Sequence, residues 1–321
     1  MKTAIVAVAA FLVDILIADP RSLPHPVRVF GRVIVFLEKV IRGIARRPLA
    51  LRLGGVFLAL CLPAGVFWTT KLGLVALSQR SQVLGLLAEV YLVATTLALK
   101  GLAQAAEEVR RSLVAGNLQL ARERVAAIVG RDTANLGPQE VVRAAVESVA
   151  ENTVDAVVAP LFYTIVGGAP LALAYRAVNT LDSMVGYRDE RYRYLGWASA
   201  RLDDLANFLP ARLAGALFVL AAVLLRGNWR RVWRTIRRDG RKHPSPNSGI
   251  SEAAVAGFLG VRLGGPAIYQ GVPSFRPYLG ESLVSLAPEH IGDAVRLLYV
   301  VGLLALLVGV SLRALVAFWG W

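Results

Sequence analysis

Residues 156–175, AVVAPLFYTIVGGAPLALAY, run for twenty positions without a charge. A stretch of that length is enough for a helix to cross the roughly 30 Å hydrocarbon core of a bilayer. Gly167, Gly168 and Pro170 sit at its centre, where glycine and proline can interrupt a helix. Two readings follow: a straight span, or a broken hairpin that returns the chain to its side of entry. Other apolar runs accompany it. They are Thr3–Ala18 (broken by Asp14), Leu53–Thr70 with its continuation to Leu77, Val83–Leu99 (broken by Glu89), the short Leu213–Leu225, and Leu297–Leu312. The fold class expected is therefore all-α, a polytopic membrane helical protein with four to six membrane segments, arranged as a single integral membrane domain over 1–321.

Composition agrees with this. Hydrophobic residues make up 56% of the 321, charged residues only 18%, and the net charge is +14. Disorder is excluded by the apolar excess, and the single cysteine, Cys61, excludes a disulfide framework and a cysteine-rich metal site. The basic residues cluster. Arg21–Arg52 carries seven arginines and a lysine, and Arg226–Lys242 carries the same number against one acid, Asp239. Both stretches are expected on the cytoplasmic side, with the N-terminus outside. They adjoin apolar runs rather than forming a soluble module, so nucleic acid is set aside as a partner. The expected location is the cell membrane, multi-pass, with the lipid bilayer as a partner. Residues 100–152 alternate apolar and charged positions helically and read as cytoplasmic amphipathic helices, while 176–212 and 226–296 read as polar, site-bearing loops.

Standard nucleotide signatures are absent: no two glycines stand at i, i+2, and no lysine completes a phosphate-binding GxxxxGK[ST]. The chemistry-bearing residues lie elsewhere. In "ESVAENTVD", Glu147, Glu151 and Asp155 fall at i, i+4 and i+8 and would stack along one helical face. Like charges at that spacing repel unless a cation lies among them, which makes the three a candidate Mg²⁺ site; otherwise they form a solvated acidic face or pair with arginines. Asn152 stands within the same run. A second cluster contains Arg176, Asn179, Asp182 and Arg188, then Arg201, Asp203, Asp204 and Arg212, ionisable groups beside apolar segments that mark either a substrate path or a paired network. A third, "RKHPSPNSG", holds Lys242, His243, Ser245 and Asn247, whose polar side chains can start a helix and leave backbone N–H groups for an anion. Gly264 and Gly265 follow in "GVRLGGP", where glycine allows close approach to a ligand. His25, between Pro24 and Pro26, completes a weaker N-terminal set with Asp14 and Asp19.

Taken together, these stretches are similar to one family. "ESVAENTVD", its continuation through "YRAVNTLDSMVGYRDERYRYLGWASARLDDLANFLPARL", "RKHPSPNSG", "GVRLGGP" and the early "ADPRSLPHPV" resemble the adenosylcobinamide-phosphate synthase family, the membrane cobalamin-biosynthesis proteins of the CobD/CbiB type. The resemblance runs from Asp14 to about Gly280. The alanine before Asp19-Pro20 departs from the glycine expected there. The resemblance implies an ATP-dependent amide ligase joining the propionate of adenosylcobyric acid to (R)-1-aminopropan-2-ol or its O-phosphate, with ATP as co-substrate and Mg²⁺ inferred. It also implies contact with other cobalamin-assembly enzymes. On that reading Glu147, Glu151 and Asp155 hold the metal. Asp182, Arg188, Asp203 and Asp204 act on the reacting groups. Asn152, Arg176, Asn179, Arg201, Arg212, Lys242, His243, Ser245, Asn247, Gly264, Gly265 and His25 bind substrate or ATP. Two other readings use the same charges: a Mg²⁺-dependent transferase acting on a lipid or polyprenyl diphosphate, and a corrinoid transporter.

Overall fold

The computed structural model describes residues 1–17, 25–187, 189–269 and 271–319. In chain order the helices are α1 (Lys2–Ile17), α2 (Pro26–Ile44), α3 (Pro48–Arg80), α4 (Gln82–Ala94), α5 (Leu99–Val114), α6 (Leu118–Ala126), α7 (Pro138–Thr153), α8 (Ala159–Val185), α9 (Trp197–Ala206), α10 (Phe208–Leu224), α11 (Trp229–Asp239) and α12 (Ser248–Leu259). A hairpin of β1 (Arg262–Tyr269) and β2 (Val272–Gly280) follows, and α13 (Glu289–Phe318) closes the sequence. Among the described residues, four helical stretches are long and apolar enough to cross a membrane, or five if α9 and α10 form one span. The all-α membrane architecture holds, with one small antiparallel hairpin added.

The chain divides into two compact units. The first comprises 1–97, 159–207 and 308–321. Its organising element is α8, which packs against α1, α2, α3, α4 and α9. Ile34, Leu58, Leu181 and Val185 form one buried cluster there, and Phe30, Leu173 and Ala177 another. Where these helices lie in lipid, close side-chain packing and buried polar pairs hold them together, rather than transfer from water. Charges inside the apolar stretches are matched: Glu89 of α4, 5% exposed, pairs with Lys2 at 2.7 Å. The break expected in Ala156–Tyr175 is located at Gly168, where φ is +68° and ψ −162°. Only glycine takes that conformation without strain, and Pro170, which has no N–H, follows two residues on.

The second unit comprises 98–158 and 208–307. Its centre is α7, packed by α5, α6, α12 and β1. In α5, Leu102, Ala103, Ala106 and Val109 face inward. In α7, within the stretch expected to be amphipathic, eleven of sixteen residues are buried, Glu147 and Arg143 among them. A helix wrapped on all sides buries its polar positions as well, and these must then be paired. The stretches read as polar loops are also more ordered than expected. Residues 226–296 hold α11, α12 and the hairpin, and 176–212 hold the end of α8, α9 and the start of α10.

Candidate functional site

In the second unit, three distant motif stretches meet around α7. Glu147 is 2% exposed, and its carboxylate is shared by Arg131 and by the backbone N–H of Gly264, which donates to Oε1 at 2.7 Å. Gly264 reaches it from β1 at φ +82°, and a Cβ there would lie 2.3 Å from the Pro277 carbonyl oxygen. Arg143, one turn before Glu147, donates to the Gly264 and Pro266 carbonyls at 2.7 Å each and so clamps the hairpin onto the helix. The Gly265 position is crowded by Tyr278 and by Arg143 itself. One turn after Glu147, Glu151 Oε1 accepts from Ser248 Oγ at 3.0 Å. Asn152 donates back to the Ser148 carbonyl at 2.9 Å.

The expected stack of three carboxylates is not formed as one α-helical face. The chain widens into a π-turn over Val154–Val158, which carries Asp155, so the α period that aligns i, i+4 and i+8 ends at Thr153. Glu147 is moreover consumed by Arg131 and Gly264, while Glu151, Asn152 and Asp155 keep partial exposure. Among the described residues, no group of three or more His, Cys, Asp or Glu is arranged to hold a metal ion. Glu151 and Asp155, both partly exposed, are the carboxylates that would be left to a Mg²⁺ ion carried mainly by phosphate oxygens. They do not fit an all-protein cage. Glu147, expected as a metal ligand, is a buried carboxylate engaged by Arg131 and the Gly264 N–H.

Behind Glu151 lies a buried charged group. Glu252 of α12 is wholly buried, with His243 Nε2 3.6 Å and Arg276 3.8 Å from its Oε1. His243 Nδ1 lies 3.1 Å from the Ser245 nitrogen and 3.3 Å from the Ser245 carbonyl oxygen, and its Nε2 faces Glu252. Among the described residues, neither His243 Nε2 nor either Glu252 oxygen has a hydrogen-bond partner. Burial, reinforced by the negative charges of Glu147 and Glu151, raises the Glu252 carboxyl well above the usual carboxylate range, against the pull of Arg276. Burial and Arg276 lower the His243 imidazole. The "RKHPSPNSG" turn is otherwise closed on itself. Ser245 Oγ accepts from the N–H groups of Asn247 and Ser248 at 3.3 Å each, so those two donors are not left for an anion as expected. Asn247 Oδ1 accepts from Arg212 at 2.7 Å, and Lys242 pairs with Asp239 at 2.7 Å.

The first unit holds the other expected cluster. Asn179 and Asp182 lie near the end of α8. Asn179 donates to Asp203 of α9 at 3.5 Å, and Asn207 donates to the second Asp203 oxygen at 3.1 Å. Arg176 donates to Asn179 Oδ1 at 3.1 Å. Tyr175 donates to Asn207 Oδ1 at 2.9 Å and stacks on Tyr163, whose hydroxyl donates to the Ala206 carbonyl. Arg201 is exposed, 3.8 Å from Asp204. His25 caps α2, its Nδ1 accepting from the Val27 N–H at 3.2 Å, a structural role. Arg188 and the Asp19-Pro20 pair lie outside the described residues.

Several of these residues were not singled out from the sequence. Arg131 and Arg276 stand far from the acids they serve, and no local spacing reveals them. Arg143 sits four residues before Glu147, a spacing that suggests an ion pair, yet its guanidinium goes to carbonyls instead. Tyr163 and Tyr175 were legible only as polar tips within an apolar run.

Comparison with known proteins agrees with these motifs. The family described as CobD/Cbib protein matches residues 7–298. The cobalamin biosynthesis protein CobD of Klebsiella pneumoniae is 48% identical over 305 residues, covering 95% of each chain. CobD of Geobacter metallireducens is 50% identical over 297 residues, 92% of each chain. CbiB of Salmonella typhi is 46% identical over 308 residues, 95% of each chain. No solved structure matches. With motif stretches from four parts of the sequence in place and these relatives matched nearly end to end, the chain belongs to the CobD/CbiB family of cobalamin biosynthesis proteins.

Proposed function

We propose that this chain is an adenosylcobinamide-phosphate synthase, a multi-pass enzyme of the cytoplasmic membrane. It would join the propionate carboxylate of adenosylcobyric acid to (R)-1-aminopropan-2-ol or its O-phosphate at the expense of ATP. The observation that carries the reading is the meeting of "ESVAENTVD", "RKHPSPNSG" and "GVRLGGP" through Gly264 on Glu147 and Ser248 on Glu151. It supports a polar site held by buried pairs, with the more exposed Glu151 left to work.

A carboxylate is a poor electrophile. Transfer of the γ-phosphoryl group of ATP to the propionate oxygen gives an acyl phosphate and ADP. The amine nitrogen then attacks the acyl carbon, the C–O bond to phosphate breaks, inorganic phosphate leaves, and the nitrogen loses a proton. Phosphoryl transfer depends on positioning and charge neutralisation more than on a covalent enzyme group. Mg²⁺, when bound, neutralises charge on the phosphates, and Glu151 with Asp155 would hold it. Glu147, Arg131 and Arg143 fix the backbone around that carboxylate. Asp203, which accepts from Asn179 and Asn207, would be a base for the ammonium proton, as would Asp182 near the end of α8 and Asp204 next to Asp203 on α9. Arg176 and Arg201 are suited to phosphate oxygens.

The test is direct. Purified protein is incubated with ATP, Mg²⁺, adenosylcobyric acid and each amine in turn, and the product is identified by mass spectrometry. A mass corresponding to the amide with one amine, dependent on ATP, is expected. No amide with either amine refutes the assignment.

A further inference from the structure

Helix α11, WRRVWRTIRRD, places its two kinds of residue on opposite faces. Val232, Thr235 and Asp239 are buried, and Arg231 is tied to the Gly257 and Phe258 carbonyls of α12. The outer face shows Trp229 and Trp233, 43% and 48% exposed, with Arg230, Arg234 and Arg237 around them. Arg230 lies over the Trp229 ring at 5.4 Å and Arg237 over the Trp233 ring at 5.7 Å. With Arg238 these residues line an open groove of about 780 Å³. The helix has one acid, Asp239, and it is turned inward. There it is occupied by Arg238, Lys242 and the Gly280 N–H, and Glu281 also pairs with Arg238, so Arg230, Arg234 and Arg237 carry the outer charge.

Indole rings are stable where an apolar body and a polar edge are both accommodated, which is the headgroup layer of a bilayer. Guanidinium groups grip phosphate in two places. The helix also follows the apolar α10 within a few residues and packs on it, and this favours a membrane surface over a soluble polyanion. We propose that the outer face of α11 is a lipid-binding surface that lies in the membrane interface and holds anionic phospholipid headgroups, the tryptophans inserting beside the phosphates that Arg230, Arg234 and Arg237 engage.

The test uses the full chain in phosphatidylcholine nanodiscs that contain a small, equal fraction of either dibrominated phosphatidylglycerol or dibrominated phosphatidylcholine. Bromine quenches nearby indole fluorescence, and the part due to α11 is obtained by difference from W229F/W233F. Stronger quenching by the phosphatidylglycerol is expected. The preference should fall about 100-fold in R230Q/R234Q/R237Q, at roughly one basic residue's worth of surface attraction each. It should survive in R230K/R234K/R237K and in the presence of millimolar inorganic phosphate. Equal quenching by the two lipids in the unaltered protein overturns the proposal. So does loss of the preference on adding inorganic phosphate, which would mark a site for free phosphate, or displacement of the lipid by a short single-stranded RNA.

Discussion

Replacing Arg131 by methionine removes the cation from a pair in which both partners are nearly inaccessible, the side chains being 6% and 2% exposed. The two charges stabilise each other in a low-dielectric interior, so removing one leaves Glu147 as an uncompensated buried carboxylate. Breaking such a pair costs about 3–5 kcal/mol. The Gly264 N–H still reaches Glu147 Oε1, which keeps the loss toward the lower end. At ~2–4 °C per kcal/mol for a domain of 150–250 residues, the unfolding midpoint should fall by roughly 6–20 °C. The second substitution is the informative one. R131M/E147Q removes the orphaned charge but keeps an amide oxygen to accept from Gly264, so it should recover most of the loss. Both are read by thermal unfolding of the detergent-solubilised protein at a fixed heating rate. If R131M shifts the midpoint by less than 2 °C, or the double variant is no more stable than R131M, the buried pair does not hold α7 as argued.

Three further outcomes are expected. Glu252 has a folded-state pKa raised above its unfolded value, so its contribution to stability is complete below the unfolded value and is lost as pH rises through the folded one. E252Q, neutral at every pH, should therefore flatten the fall in unfolding midpoint on the alkaline side of the usual carboxylate range, and an unchanged pH profile would contradict the burial argument. E151Q should lower ATP-dependent amide formation at least tenfold at limiting Mg²⁺ and by less at saturating Mg²⁺; full activity at limiting Mg²⁺ would remove Glu151 from the metal. G264A should cost roughly 1–3 kcal/mol in backbone strain alone, and more because its Cβ would meet the Pro277 carbonyl oxygen at 2.3 Å; a normal melting curve would show that the hairpin can yield.

The membrane helices were legible because a bilayer imposes one simple rule, about twenty apolar residues in a row. The break at Gly168 was legible for a similar reason, since glycine and proline act locally. The hairpin was not. Its strands carry Gly264, Gly265 and Pro266 where a regular strand pattern would have apolar alternation, and it is held by Arg143 from a distant helix. The carboxylates of 147–155 were found by spacing, but spacing assumes a uniform helix, and the π-turn at Val154–Val158 changes the period inside the motif itself. Burial separated Glu147 from Glu151, and burial on all sides of α7 is set by elements far along the chain. Asp203 shows the reverse case. Its neighbour Asn179 is visible as a polar position beside an apolar run, and the structure brings it together with Asn207 at one carboxylate.

The clasp on Glu147 also sets an order in time. Arg131 precedes its partner by 16 residues and is present when α7 emerges from the ribosome. Gly264 follows 117 residues later, which at 5–20 residues per second is roughly 6–23 s of synthesis. Through that interval Arg131 alone can shield the carboxylate, and Arg143 has no hairpin to hold. A chain released before residue 264 would carry every residue of "ESVAENTVD" and still lack the clasp.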